Sequence, residues 1–542
     1  MLASPRRGTG QGGTKVRGFL EAVLLGLVVI GVWLRLVQFL AHTSLWMDEI
    51  TLSRNILDRS MWPLLSRPLD YFQVAPKGFL FVEKLASVWV GPRDYALRLF
   101  PLCSSLVALV AFWRFVRRWL PPLAASIALA LFSTAAALIV FGAEVKQYST
   151  DVAAAVLLLW LAFDLAGREI SVRLALWAGL AGALLMWFSQ AAVLMAFGLA
   201  CSLAAFVWAD QKPPKNRRLR SWACLLGIWG ISALGATYVG FKSMTAPTLT
   251  FMRQYWAVGL LPMPSWQALH TLWPLRQLLE LLATGGQASL GYPHPKVYLA
   301  LIITSFWPLW KRLGQRAFLL FAPIGVAIAA AVAREYPFSD RLILFLLPIF
   351  FVAIAATIQW IFEWLTSWSR YAGWLAVVLL LGPAISPVIA MPPPYRVEDI
   401  KPVLSHVRSN WRAGDTLYVF HGAIRGFTFY SGDYGFIDRD YVIGGFYSGS
   451  NRRYLQELDV FRQRPRVWIL ITHAFPWNRE EQDIVQYLDT IGVRRDALTV
   501  PSRVVGRWAV PAQVFLYDLS NPRRLSAATA ASIPLGGAAQ DK

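Results

Sequence analysis

Cysteine is almost missing from this chain: three in 542 residues, Cys103, Cys201 and Cys224, all inside apolar stretches. That excludes a disulfide framework, and the spacing offers no cysteine-built metal centre. Charge is scarce too, at 15 % of residues against 56 % hydrophobic, with a mean hydropathy of +0.47. So little charge indicates a polytopic membrane protein rather than a string of soluble domains. Acids are the rarer sign, 31 against 52 Lys and Arg, for a net charge of +21. The basic residues stand in short clusters between apolar runs and form no basic soluble module, which argues against nucleic acid as a partner. The six histidines show no HExxH-type spacing, and no Walker pattern occurs. The nearest approach to a glycine-rich phosphate loop, His421-Gly422-Ala423-Ile424-Arg425-Gly426, does not match G-x-G-x-x-G.

What the chain has in quantity is long apolar runs and aromatics, with 25 Trp and 32 Phe. Apolar length predicts about eleven spans, at 19–40, 96–116, 121–141, 151–167, 174–190, 191–209, 221–241, 297–310, 317–333, 342–362 and 371–390. Residues 1–18, Gly-rich and basic, read as a disordered cytoplasmic tail, and 19–40 as an uncleaved first helix. Arg35, near the outer end of that helix, is expected to snorkel to the interface. With the N-terminus inside, one side of the membrane receives Arg114, Arg117 and Arg118; Arg168 and Arg173; Lys212, Lys215, Arg217, Arg218 and Arg220; Lys311, Arg312 and Arg316; and Arg370. This one-sided clustering is what the positive-inside rule requires of cytoplasmic loops. The other side then receives residues 41–95, 242–296, Arg334–Arg341 and everything after about 391.

The predicted architecture is a polytopic α-helical transmembrane domain over 19–390, followed by a small extracytoplasmic α/β domain over 391–521. In that second domain Asp415–Phe420, Arg466–Ile471 and Val514–Tyr517 read as strands, and 478–491 as a helix. The tail 522–542, rich in Ala, Ser and Gly, reads as disordered. The expected location is the plasma (inner) membrane, multi-pass.

Candidate chemistry gathers in the outer loops. Asp48 and Glu49 follow the first span and precede a short amphipathic segment. One account is helix capping, with Asp48 as N-cap. The other is catalysis: a carboxylate takes the proton of an attacking hydroxyl or amine while its neighbour orients a substrate or metal. Gln73-Val74-Ala75-Pro76-Lys77-Gly78 places a cation in the same loop, where a solvated turn lysine is the plainer alternative. Glu144-Val145-Lys146-Gln147-Tyr148-Ser149-Thr150-Asp151 is a polar cluster between apolar runs, costly at membrane depth unless paired or functional. Arg341, at the edge of a span, suits a phosphate through two parallel hydrogen bonds, or simply reaches for the interface. Arg98 stands four residues after Asp94 and makes a helical pair with it on spacing alone. Arg334 opens the loop that holds Arg341.

In order and topology these motifs resemble the GT-C membrane glycosyltransferases, and most of all the bacterial relatives of protein O-mannosyltransferase and lipid A aminoarabinose transferase. The similarity rests on Trp46-Met47-Asp48-Glu49, Ala75-Pro76-Lys77-Gly78, Arg98-Leu99-Phe100-Pro101, the stretch Lys146–Asp151, and Tyr336-Pro337 with Arg341 and Leu344-Phe345-Leu346-Leu347-Pro348. It covers residues 20–390. The chain departs from the family at Ala75 and Lys77, where the family carries Lys or His followed by two prolines. The resemblance implies an inverting glycosyltransferase moving a sugar from a polyprenyl-phosphate donor to a lipid, glycan or protein acceptor. It implies Asp48 as base and Glu49 as its companion. Lys77, Lys146, Tyr148 and Arg341 hold the donor phosphate, and Arg98, Asp151 and Arg334 support the site. The resemblance leaves room for a divalent metal ion, with Asp48 and Glu49 as its ligands, and names no other cofactor. A lipid or small-molecule transporter using the same outer-loop acids is the alternative, although such carriers usually place acids within spans and show repeated halves.

Overall fold

The apolar runs fold as helices because a chain in hydrocarbon must satisfy its own backbone hydrogen bonds. The computed structural model describes residues 11–91, 94–209, 215–264, 267, 272–284, 286–447, 451–505 and 510–521. Among them, eight helical stretches are long and apolar enough to cross a membrane: Gly18–Leu40, Asp94–Trp119, Tyr148–Leu165, Ala191–Ala209, Leu219–Lys242, Pro295–Val332, Asp340–Thr366 and Arg370–Ala390. A ninth forms if the pair Pro122–Thr134 and Ala136–Ala143, bent by 55°, is one span. The sequence-based count was eleven, and the differences have local causes. The expected span 174–190 folds as Val172–Phe188, apolar but short. Two others fall inside the single 38-residue run Pro295–Val332. A straight helix of that length would measure about 57 Å, nearly twice the ~30 Å hydrocarbon core. It is broken at Gly314, whose φ of +55° suits glycine, and by a 3₁₀ turn over Gly314–Ala317. The first helix starts at Gln11, inside the stretch expected to be loose. Residues 1–10 and the expected tail 522–542 lie outside the described residues. The Asp340–Thr366 helix is the axis of this unit, with 94 % of its most apolar window buried against 11 % for Leu219–Lys242.

The bend after Thr134 is held from the first helix. Arg35 is 1 % exposed, so it does not snorkel. Its Nε donates to Ser105 Oγ at 2.8 Å, and its terminal nitrogens donate to Gly31 O at 2.9 Å, Phe132 O at 3.3 Å and Ser133 O at 3.4 Å. The last carbonyls of a helix lack intrahelical partners, and the guanidinium meets two of them where Pro122–Thr134 stops. The chain can therefore break inside the apolar region and restart as Ala136–Val140.

Helix Lys77–Trp89 buries Phe79, Leu80, Glu83 and Ser87. Its Lys84 Nζ caps the end of helix Met47–Asp58, donating to Ile56 O at 2.8 Å and Leu57 O at 3.2 Å. Glu83 is fully buried and neither carboxyl oxygen has a hydrogen-bond partner among the described residues. Burial holds this carboxyl well above the usual carboxylate range, so the fold favours its neutral form. That contribution is complete below the unfolded-state pKa and is lost as pH rises through the folded one. Glu83→Met keeps the length and removes both orphaned oxygens. It is expected to raise stability by about 1–3 kcal/mol at neutral pH and to flatten the alkaline fall of thermal melts in detergent. A destabilised Glu83→Met protein would contradict this.

The second unit contains His42–Thr51 and Pro394–Val504 together with the last strand. Its five strands are β1 Thr416–Val419, β2 Tyr441–Ile443, β3 Val467–Ile471, β4 Val493–Val500 and β5 Ala512–Asp518, in the order β2-β1-β3-β5-β4. Every residue of β1 and β3 is buried. These are the continuous apolar runs expected of central strands, and they pair in parallel, Leu417 with Trp468. β2 joins β1 in parallel, and β5 runs antiparallel to β3 and β4. The expected strands at 415–420, 466–471 and 514–517 and the helix at 478–491 correspond to β1, β3, β5 and helix Glu480–Ile491. β2 and β4 escape the sequence pattern because they are edges. β2 has three residues, and β4 carries Arg494, Arg495 and Asp496 with a bulge there, a charged edge that resists further pairing.

Candidate functional site

In the sheet-bearing unit, the acid pair opens helix Met47–Asp58. Ile50 N donates to Trp46 O at 3.0 Å, the first helical bond, which makes Trp46 the N-cap residue. Glu49 reaches back to accept from Trp46 N at 3.2 Å, half of a capping box. Capping thus falls to Glu49, which is 1 % exposed. Asp48 stands one residue earlier, half-buried, at the second position of the helix; its own carbonyl accepts from Thr51 Oγ1 at 2.9 Å. Both carboxylates lie in the first turn of the helix, at the positive end of its dipole.

The segment leading into this helix is pinned by residues hundreds of positions away. Asp399 Oδ1 accepts from Ser44 N at 3.0 Å and from Ser44 Oγ at 2.5 Å. Lys401 N donates to Ser44 Oγ at 2.9 Å, and Leu45 N donates to the Tyr430 hydroxyl at 2.8 Å. The segment carrying the acids is therefore built into the C-terminal domain, whereas the sequence assigned it to the membrane domain.

In the membrane unit, Tyr148 opens helix Tyr148–Leu165, and Arg341 is the second residue of the 3₁₀ turn Asp340–Leu346 that leads into helix Leu347–Thr366. The Arg341 guanidinium lies 5.6 Å from the Tyr148 ring centroid and 5.2 Å from that of Trp256, and donates to Gln287 Oε1. Two rings and an amide fix the direction of its fork. Lys146 Nζ donates to Gln73 Oε1 at 2.6 Å, bringing the loop before Lys77 to the start of Tyr148–Leu165. Lys77 begins helix Lys77–Trp89 after Pro76, which gives no side-chain cap. Burial lowers its pKa, and the Arg59 charge lowers it further, leaving a cation at the positive end of a helix where an anion is favoured. Gly78 is required by packing: a Cβ there would meet Trp187 O at 2.8 Å.

The proposed supporting residues have partners of their own. Asp151 Oδ1 accepts from Ser189 Oγ at 2.6 Å, tying Tyr148–Leu165 to Ala191–Ala209. Arg334 donates to Leu261 O at 2.6 Å from a left-handed backbone at φ +62°. Arg98 is buried on Asp94–Trp119, as is Asp94. Tyr336, named in the sequence only as part of the resemblance, donates to Leu342 O at 2.9 Å. Its hydroxyl is pushed up by burial first, then by the nearby Asp151 and Tyr148. Trp256 and Gln287 carry no signal in the sequence that separates them from the chain's other tryptophans and glutamines, and Gln73 stands there only as the first residue of the Lys77 stretch.

Chemically, the membrane unit presents Lys146, Arg341 and the Tyr148 phenol at the N-terminal ends of two apolar helices. Such ends attract anions, and cations with a hydroxyl suit a phosphate. Among the described residues no group of three or more His, Cys, Asp or Glu is placed to hold a metal ion. Glu49 Oε2 is turned back to Trp46 N.

No protein-family model matches the chain, and no curated protein matches it. Solved structures do. One is the archaeal oligosaccharyltransferase AglB from Archaeoglobus fulgidus in complex with an inhibitory peptide and a dolichol-phosphate: 13 % identity over 88 % of this chain and 72 % of that one, TM-score 0.45. Another is ArnT from Cupriavidus metallidurans bound to undecaprenyl phosphate: 12 % identity over 93 % of this chain and 98 % of that one, TM-score 0.44.

Proposed function

We propose that the protein is an inverting glycosyltransferase that moves a sugar from a polyprenyl-phosphate donor to an acceptor on the extracytoplasmic side of the membrane. The observation that carries this reading is the set of Lys146, Tyr148 and Arg341 at the starts of apolar helices, two cations and a phenol of the kind that suits a phosphate. An acceptor hydroxyl or amine attacks the anomeric carbon of the sugar. The bond from that carbon to the phosphate oxygen breaks, and the polyprenyl phosphate leaves with the electron pair. Asp48 takes the proton lost by the acceptor, while Arg341, Lys146, Tyr148 and Lys77 stabilise the charge gathering on the leaving phosphate. Glu49 fixes the first turn on which Asp48 stands. No step needs a metal, and a divalent ion would add only further charge stabilisation.

The assay is transfer of labelled sugar from synthetic polyprenyl-phosphate donors by the purified full chain. Polyprenyl phosphate should appear in step with glycosylated acceptor. Donor sugars consumed with no acceptor product, or carried across a vesicle membrane intact, would instead indicate hydrolysis or transport.

A further inference from the structure

The sheet of the C-terminal domain carries a feature that the transfer chemistry leaves unused. Strands β1, β2 and β3 are parallel, so their carboxyl ends share one edge. The chain leaves β1 for β2 on one side and returns to β3 on the other, which makes the gap between β1 and β3 a topological switch point. In open α/β sheets this is where ligands bind. Here the two strand-end loops meet closely: a Cβ on Gly422 would lie 2.5 Å from Thr472 O and 3.0 Å from His473 O, so only glycine fits.

The groups at this edge are chemically matched to one another. His421, just after β1, stacks on Tyr454 with centroids 5.3 Å apart and planes at 9°, and its Nδ1 is buried with no partner among the described residues. Thr472, just after β3, is 1 % exposed, and its hydroxyl is likewise unpartnered. His473 Nδ1 pairs with Glu398 Oε2 at 3.1 Å. Glu480, 7 % exposed, is held by Tyr454 and Asn478. Around these polar groups stand ring faces open to solvent. Phe446 beyond β2, 72 % exposed, meets His421 at 5.1 Å, and Trp477, 53 % exposed, stacks on Phe475 at 4.7 Å.

We propose that this edge binds a carbohydrate ring. Burial, and then the neighbouring His473, lower the His421 pKa to about 4, so its imidazole is neutral and can both donate and accept, as hydroxyl groups do. Glu398 and Glu480 add acceptors and negative charge, which disfavours a phosphate or carboxylate ligand. Aromatic faces take up the C–H face of a sugar ring, while the polar groups take its hydroxyls. Among the described residues no group of three or more His, Cys, Asp or Glu is placed to hold a metal ion.

Binding is read without turnover, so this inference stands or falls apart from the transferase reading. The test is saturation-transfer NMR on the full chain in a detergent without a sugar headgroup, with glucose, mannose, galactose and N-acetylglucosamine as probes. At least one should receive saturation on its ring protons. Phe446→Ala and Trp477→Ala, both at exposed positions, should each cut the signal about fivefold, the size of an aromatic contact. Glu480→Gln should weaken it without lowering the thermal melt. Saturation of tetramethylammonium or methyl phosphate but none of the sugars would overturn the proposal. So would sugar signals that are equal in the parent and both aromatic variants.

Discussion

Asp48→Asn is expected to give a folded protein that turns over about 10² to 10⁴ times more slowly, the usual loss when a general base is removed. Asn matches Asp in shape but does not take up a proton under these conditions. The helix start should survive, because the capping bond to Trp46 N comes from Glu49. The loss of one charge near the helix dipole costs about 0.3–1 kcal/mol. Glu49→Gln should be milder in turnover, since the amide oxygen can still accept from Trp46 N. Glu49→Ala removes that bond and should lower stability by about 1 kcal/mol. Sugar transfer and thermal melting, measured side by side, separate the roles. Near-normal turnover by Asp48→Asn would make the acid pair a structural helix start.

Arg341→Ala should lower kcat/KM for the donor about tenfold to a hundredfold, the worth of a hydrogen bond to a charged group. The loss should shrink at saturating donor if Arg341 acts mainly in binding, and persist if it acts on the leaving phosphate. Arg341→Lys should restore only part of the activity. A lysine keeps the charge but gives up the fork and its placement between Tyr148 and Trp256. Full rescue by lysine would reduce Arg341 to a general positive charge, and unchanged kinetics in the alanine variant would remove it from the site.

How far the sequence revealed these features depended on the range of the interactions behind them. Local patterns were readable: the buried runs of β1 and β3, the helix Glu480–Ile491 and the long apolar helices all follow from periodicity or length. The acid pair was likewise found at a helix start, but the capping role belongs to Glu49 rather than Asp48, a shift of one residue that only backbone geometry decides. Long-range ties left no trace. Ser44 meets Asp399 across 355 positions, and no spacing rule connects them. Arg35 read as a snorkelling side chain because its carbonyl partners, Phe132 and Ser133, become available only when another helix breaks beside it. Glu83 was passed over although it follows Phe79 and Leu80 at helical spacing, a pattern that puts an acid on an apolar face and is worth reading as a signal.

The most direct test of the central claim needs neither the sugar nor the acceptor to be known. Native mass spectrometry of the full chain, released from detergent after incubation with a long-chain polyprenyl phosphate, measures retention of that lipid. The account predicts retention by the parent protein and by Asp48→Asn, with clear loss in Arg341→Ala and in Lys146→Ala. No retention by the parent, or equal retention in all four proteins, would contradict it.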